Sequence, residues 1–244
     1  MKNAIIVIST LMATTAATSA QAEDRPWSGP YVGIYTGANA GSNEFRDYWC
    51  WSACDAPMIN VIKPAIGATV GINFQPDDNL VVGVEADIGS GFKDEKTYPT
   101  VATPIYRWAT NIKWQSTVRA RVGLTSGKTL AYVTGGYAFA KADFSETTDK
   151  TARGGGAANV AWGANWQGTT SGYVYGAGIE HKFGSVSTKF EFLRESFGTH
   201  NACYKDLEGA NAGVCWPTGI YSNPKSVSFS PTVSSLKVGL NFQF

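Results

Sequence analysis

From Tyr31 onward the hydrophobic residues recur at every second position, the period of a strand with one apolar and one polar face. The last segment shows it most plainly. Leu236, Val238, Leu240, Phe242 and Phe244 fall on one face, and Ser235, Lys237, Gly239, Asn241 and Gln243 on the other. Ile66, Ala68, Val70, Ile72 and Phe74 oppose Gly67, Thr69, Gly71 and Asn73. Leu80, Val82, Val84, Ala86 and Ile88 oppose Gly83, Glu85, Asp87 and Gly89. Trp114, Ser116, Val118, Ala120, Val122 and Leu124 oppose Gln115, Thr117, Arg119, Arg121 and Gly123. Gly135-Gly136 interrupts the alternation of one further segment and leaves its register ambiguous. The pattern predicts eight strands, over 30–41, 64–74, 80–90, 112–124, 129–141, 172–182, 186–197 and 232–244.

The connections between these strands run 22, 5, 21, 4, 30, 3 and 34 residues, so long and short alternate. Asp77-Asp78-Asn79 and Ser126-Gly127 supply turn residues at two of the short ones. An even strand count with this rhythm is the layout of an outer-membrane barrel, with short periplasmic turns and long external loops. The expected fold is all-β, an eight-stranded antiparallel up-and-down transmembrane β-barrel with long extracellular loops. Lipid offers no partner to backbone N–H and C=O groups, so such a sheet has to close on itself. Each strand needs about 9–11 residues to cross, which these segments supply.

Composition narrows the choice further. Only 16% of the 244 residues are charged, while 13% are aromatic and 27 are glycine; a soluble domain carries about 25% charged residues. No run approaches the roughly 18 apolar residues of a membrane-spanning helix. Lys and Arg number 20 against 19 Asp and Glu, with no basic stripe, which argues against a nucleic-acid partner. Met1-Lys2-Asn3, the apolar run Ala4–Met12 and the Ala20-Gln21-Ala22 site read as a cleaved signal peptide over 1–22. Residues 23–244 are then one barrel domain with 19 charges of each sign.

The polar faces carry the candidate chemistry. By the parity above, Glu85, Asp87, Glu180 and Glu191 point inward, as do Arg119, Arg121, Lys182, Lys189 and Lys237. An outward Lys or Arg at mid-membrane costs roughly 2–4 kcal/mol. Inside, opposite charges can pair, and an eight-stranded barrel is just wide enough for side chains to fill it. The set is read as an ionic plug; a narrow ion path is the alternative.

Cys50 and Cys54 lie in the first long connection, Cys203 and Cys215 in the last. An exported chain with an even cysteine count favours disulfides. Proximity favours Cys50–Cys54 and Cys203–Cys215, although the first and last strands of a closed barrel are neighbours and cross-bridging is physically open. The spacing is poor for zinc, with His200 the nearby imidazole, and no metal or cofactor is expected. Trp49, Trp51, Trp108, Trp162, Trp166 and Trp216 fall in the long connections. They suit an interface girdle, or a face that binds a ligand such as haem or glycan, or a host surface. The two histidines, His181 and His200, give no credible catalytic set, so no enzyme is expected. A secreted lipocalin-like barrel, apolar within and polar without, would show the same alternation read inside out.

Several stretches resemble a known group. Trp27-Ser28-Gly29-Pro30-Tyr31-Val32-Gly33 is similar to a W-x-G-x-Y-x-G opening strand. Thr117-Val118-Arg119-Ala120-Arg121-Val122-Gly123 resembles a T-V-R-x-R-x-G strand, and Leu130–Ala138 the strand after it. Gly176-Ala177-Gly178-Ile179-Glu180 and Lys189-Phe190-Glu191-Phe192 resemble a G-x-G-x-E and K-x-E-Y pair. Together they resemble the small opacity-type outer-membrane β-barrel proteins of alphaproteobacteria, the porin-family surface antigens. The resemblance implies an outer-membrane location among lipid and lipopolysaccharide, a surface or envelope-integrity role, and no shared active site. It also implies that Leu240, Phe242 and Phe244 form the terminal signal read by the outer-membrane assembly machinery. Pro30, the Arg194-Glu195-Ser196 interruption and the four cysteines depart from the group's pattern.

Overall fold

The computed structural model describes residues 25–47, 59–98, 106–148, 162–207, 213, 215 and 226–244. They form ten strands: β1 (Gly29–Asp47), β2 (Ile59–Phe74), β3 (Leu80–Tyr98), β4 (Tyr106–Ser126), β5 (Thr129–Thr148), β6 (Trp162–Phe183), β7 (Val186–Phe197), β8 (His200–Cys203), β9 (Lys205–Asp206) and β10 (Ser226–Gln243). The order is β1-β2-β3-β4-β5-β6-β7-β10, and β10 pairs back onto β1, so eight antiparallel strands close a ring. The short β8 pairs with β10 above the end of β7, and β9 pairs with β6.

Closure is staggered. A row of cross-strand partners starts at Gly89 and passes through Gly67, Tyr35, Gly239, Lys189, Glu180 and Leu130 to Thr125. Thr125 donates its N–H to the Asn79 carbonyl at 2.7 Å, so the row returns ten residues below its start. Eight strands with such a stagger tilt by roughly 40° to the barrel axis.

The two faces are sorted opposite to a soluble protein. Ile66, Leu124, Val238 and Leu240 stand outward and exposed, while Lys237, on the other face of the same strand as Leu240, is 1% exposed. This removes the lipocalin-like reading, which needs an apolar lumen and a polar outside. In β5 the even residues Leu130, Tyr132, Ala138, Ala140 and Ala142 are buried and the odd Val133 and Tyr137 are exposed. The Gly135-Gly136 pair therefore sits within one unbroken register.

Several strands run well past their expected external ends, β4 starting at Tyr106 and β6 at Trp162. Their upper parts do not keep the lower parity. A register shift between Ile112 and Trp114 turns Trp108, Thr110 and Ile112 inward, where Gln115, Thr117 and Arg119 face inward below it. In β3 the inward set passes from Gly89 to Phe92. Gly41 of β1 leaves the room this needs, since a Cβ there would run into the Phe92 ring.

The lumen is filled in three layers. Trp27, Val81, Leu130 and Tyr132 form the periplasmic floor. A band of charged residues lies above them. The external half is mainly apolar, built on Phe92, Trp108, Ile112, Phe144, Leu193 and Phe229, with Glu146 accepting from Tyr204 and Asn43 donating to Thr110 among them.

Candidate functional site

The charged band grows out of the register of β3 and β4. Glu85 lies directly across from Arg119, and Asp87 across from Thr117. All are on the inward face, so each acid begins with a donor on the neighbouring strand. Arg119 bonds the Glu85 carboxylate, and reaches Asp87 at 3.0 Å and Glu191 at 3.1 Å. Arg121 reaches Glu180 at 3.1 Å and Glu85 at 3.5 Å. From the opposite wall, Lys189 donates to both oxygens of Glu85 at 2.9 Å, and Lys237 to Asp87 at 3.1 Å.

The structure thus brings together eight of the nine expected lumen charges: four carboxylates with four cations, all buried. Lys182 stands apart. It is the inward residue beyond Glu180 at the periplasmic mouth, where its ammonium donates to the Pro26 carbonyl and to Gln243 Oε1. Its ammonium nitrogen stands over the Trp27 ring, 5.5 Å from the centroid. There it ties the start of β1 to the end of β10 instead of joining the ionic band.

Neutral groups complete the band. Tyr31 donates to Glu85 at 2.7 Å, Tyr132 to Glu191 at 2.8 Å, Thr117 to Asp87 at 2.7 Å and Asn241 to Glu180 at 2.9 Å. Tyr31 lies across Gly71, where a Cβ would meet its ring. The Arg121 guanidinium sits between the Tyr31 and Tyr132 rings, 5.2 and 4.7 Å from their centroids. These tyrosines were not singled out by pattern, although Tyr31 and Tyr132 share the inward parity of the charges. Glu195 is also inward and 0% exposed, yet no hydrogen-bond donor among the described residues reaches its carboxylate.

The remaining candidates divide. Trp108 is a strand residue of β4, 5% exposed within the apolar upper layer, not a loop residue. Trp162 and Trp166 belong to β6 rather than a loop. Trp166 stacks on Phe144 at 5.6 Å and on His200 at 3.8 Å. Trp49, Trp51 and Trp216 lie outside the described residues, as do Cys50 and Cys54. Cys203 and Cys215 form a disulfide with Cα atoms 5.6 Å apart. Leu240, Phe242 and Phe244 stand outward at the end of the chain.

His200 shares a hydrogen bond of 2.7 Å with Thr170, and burial pushes its imidazole below the ordinary value. His181 faces outward beside Thr129, 2.9 Å away. No group of three metal-ligating side chains occurs among the described residues.

The family of the outer membrane protein beta-barrel domain matches residues 8–244. The 31 kDa outer-membrane immunogenic proteins of Brucella melitensis and Brucella suis are 27% identical over 180 residues, 73% of this chain. The match spans 65% of the length of those relatives. Among solved structures, OprG of Pseudomonas aeruginosa aligns at TM-score 0.47 and 10% identity, over 89% of this chain and 97% of that one. The attachment invasion locus protein Ail of Yersinia pestis aligns at 0.36 and 10%, over 88% and 99%. With a closed ring of eight strands, an apolar outer wall and a buried polar lumen, the chain belongs to the outer membrane protein beta-barrel family and resides in the outer membrane.

Proposed function

We propose that this is a structural protein of the envelope whose barrel is closed to solutes and whose external loops form a surface antigen. The observation that carries this reading is the charged band. Its eight ionic side chains are buried and bonded to one another across the full width of the lumen. Ion transit would require breaking these bonds in an interior that cannot hydrate the separated charges. The apolar layer above and Trp27 below add two further water-excluding layers.

In this role the partners are the lipid and lipopolysaccharide around the wall, and the assembly machinery that would read Leu240, Phe242 and Phe244. A strain lacking the protein is expected to become more sensitive to detergent and to large antibiotics. Uptake of small solutes should stay unchanged. Normal envelope resistance with slowed solute uptake would favour a porin instead.

A further inference from the structure

The Arg194-Glu195-Ser196 interruption carries a fifth lumen acid that the ionic band does not use. Its level in the barrel follows from the register. The row of cross-strand partners that starts at Gln115 passes Gly89, Gly67, Tyr35 and Gly239 to reach Lys189 on β7. A stagger of ten residues over eight strands lowers such a row by roughly one and a quarter residues per strand. After five strands the fall is about six residues, and six residues above Lys189 stands Glu195. Gln115 and Glu195 therefore share one level of the lumen. The same stagger brings Asn39 and Ser235 to it, with the small Ala65 and Ala138. The ionic band lies below, and Phe92 and Val233 of the apolar layer lie above.

Within this level the polar groups divide. Ser235 donates to the Asn39 side-chain oxygen at 2.9 Å, and Asn39 donates to the Ser90 carbonyl at 3.4 Å. Gln115 and Glu195 are just as buried. Yet neither amide atom of Gln115 and neither carboxyl oxygen of Glu195 has a hydrogen-bond partner among the described residues. The charges that face Glu195 are already committed. Lys237 of β10 bonds Asp87 of β3, and Arg119 of β4 bonds Glu85, Asp87 and Glu191. Tyr35 of β1 gives its hydroxyl to Asp87 at 3.5 Å. From β2, β5 and β6 the level receives Ala65, Ala138 and Val174.

We infer that Glu195 binds a proton in the folded barrel and stands as a neutral carboxylic acid linked to Gln115 through buried water. Charge comes first. The band sets four carboxylates against four cations, so a fifth negative charge has no counterpart among the described lumen residues. A buried group in that position neutralises rather than remain ionised. Hydrogen bonding points the same way. The Gln115 carbonyl needs a donor, and an ionised carboxylate has none to give. A carboxylic acid offers one O–H and accepts in return, which complements an amide. No direct bond joins the two side chains, and water links buried polar groups of this kind. The consequence is a stability that depends on pH. The folded barrel keeps a proton that the unfolded chain releases above the ordinary glutamate range. Stability is therefore full below that range and falls as pH rises toward loss of the proton from the folded form.

Infrared spectroscopy of the full-length protein in lipid vesicles tests this. At about pH 7, where solvated carboxyls are ionised, the unaltered protein should show the carbonyl stretch of a protonated carboxylic acid. That band should shift after refolding in heavy water and vanish on alkalinisation. Glu195→Gln should lack it while keeping its heat-dependent gel mobility, and Gln115→Leu should keep it at a shifted frequency. Relative to Glu195→Gln, the unfolding equilibrium constant of the unaltered protein should rise by up to about tenfold per pH unit above the ordinary glutamate range. Absence of the band from the unaltered protein, its persistence in Glu195→Gln, or a pH-independent ratio of unfolding constants would overturn the assignment. An unfolding midpoint that follows sodium or potassium at fixed pH, without the acid band, would give the site to a metal cation instead. The spectrum of the unaltered protein decides even where a variant fails to fold. None of these readouts depends on whether the lumen conducts, so the proton site can fail while the closed barrel stands.

Discussion

At the level of single residues, the lumen separates charges that are bonded from one that is not. Glu85 accepts from Arg119, Lys189 and Tyr31, so removing its charge leaves Lys189 buried without a carboxylate partner among the described residues and takes from Arg119 one of its three. Glu85→Gln is expected to destabilise the barrel by about 3–5 kcal/mol, read as a lower urea midpoint of unfolding in lipid vesicles. Glu195 is as deeply buried but accepts no hydrogen bond from the described residues. Burying an unbonded polar group is costly, so Glu195→Gln should leave the midpoint unchanged or raise it. A loss as large as that of Glu85→Gln would contradict the distinction. The inward positions of Glu85, Asp87, Arg119 and Lys237 were legible in the sequence because strand parity assigns a face. Their partners were not legible. Parity says nothing of which residues meet across the lumen, so it marks neither Tyr31 and Tyr132 as partners of the charges nor Lys182 as separate from them.

At the level of the strand, parity is reliable where one face must meet lipid and the other must not. On β10, Val238 faces outward and Asn241 inward. Val238→Arg should cost roughly 2–4 kcal/mol and deplete folded protein in the membrane, while Asn241→Ser should assemble normally. Comparable assembly of both would contradict the register. Above the belt both faces are free to vary, so the period fades and the expected ends fall short. The stretch Gly163–Ser171 has no alternation to mark it, yet it belongs to β6. The shift at Ile112 and Trp114 carries Trp108 to the inner face, which a constant period of two could not foresee.

The short β8 introduces a pH dependence at the external rim. His200 stacks on Trp166, and burial lowers its imidazole, so its folded value lies below its unfolded one. Below its ordinary titration range the unfolded segment binds the proton more readily. The stability that the neutral form contributes is then present above that range and lost as pH falls through it. Trp166 fluorescence should therefore change on acidification, and His200→Phe should abolish the change. An identical titration in His200→Phe would contradict this. Reducing Cys203–Cys215, a separation of 12 residues, should loosen the same rim by about 2–3 kcal/mol and leave the transmembrane ring intact.

For the whole molecule, scarcity of charge, strand rhythm and balanced inward charges all pointed to a closed outer-membrane barrel, and the ring of eight strands follows that outline. The filling of its external half was hidden, because the residues responsible come from segments without alternation and meet only after two strands change parity. The central claim is that the filled lumen passes no ions. Current across a planar lipid bilayer containing the purified full-length protein tests it most directly. The account predicts no steady open level in the unaltered protein at neutral pH, while a stable, large single-channel conductance would contradict it.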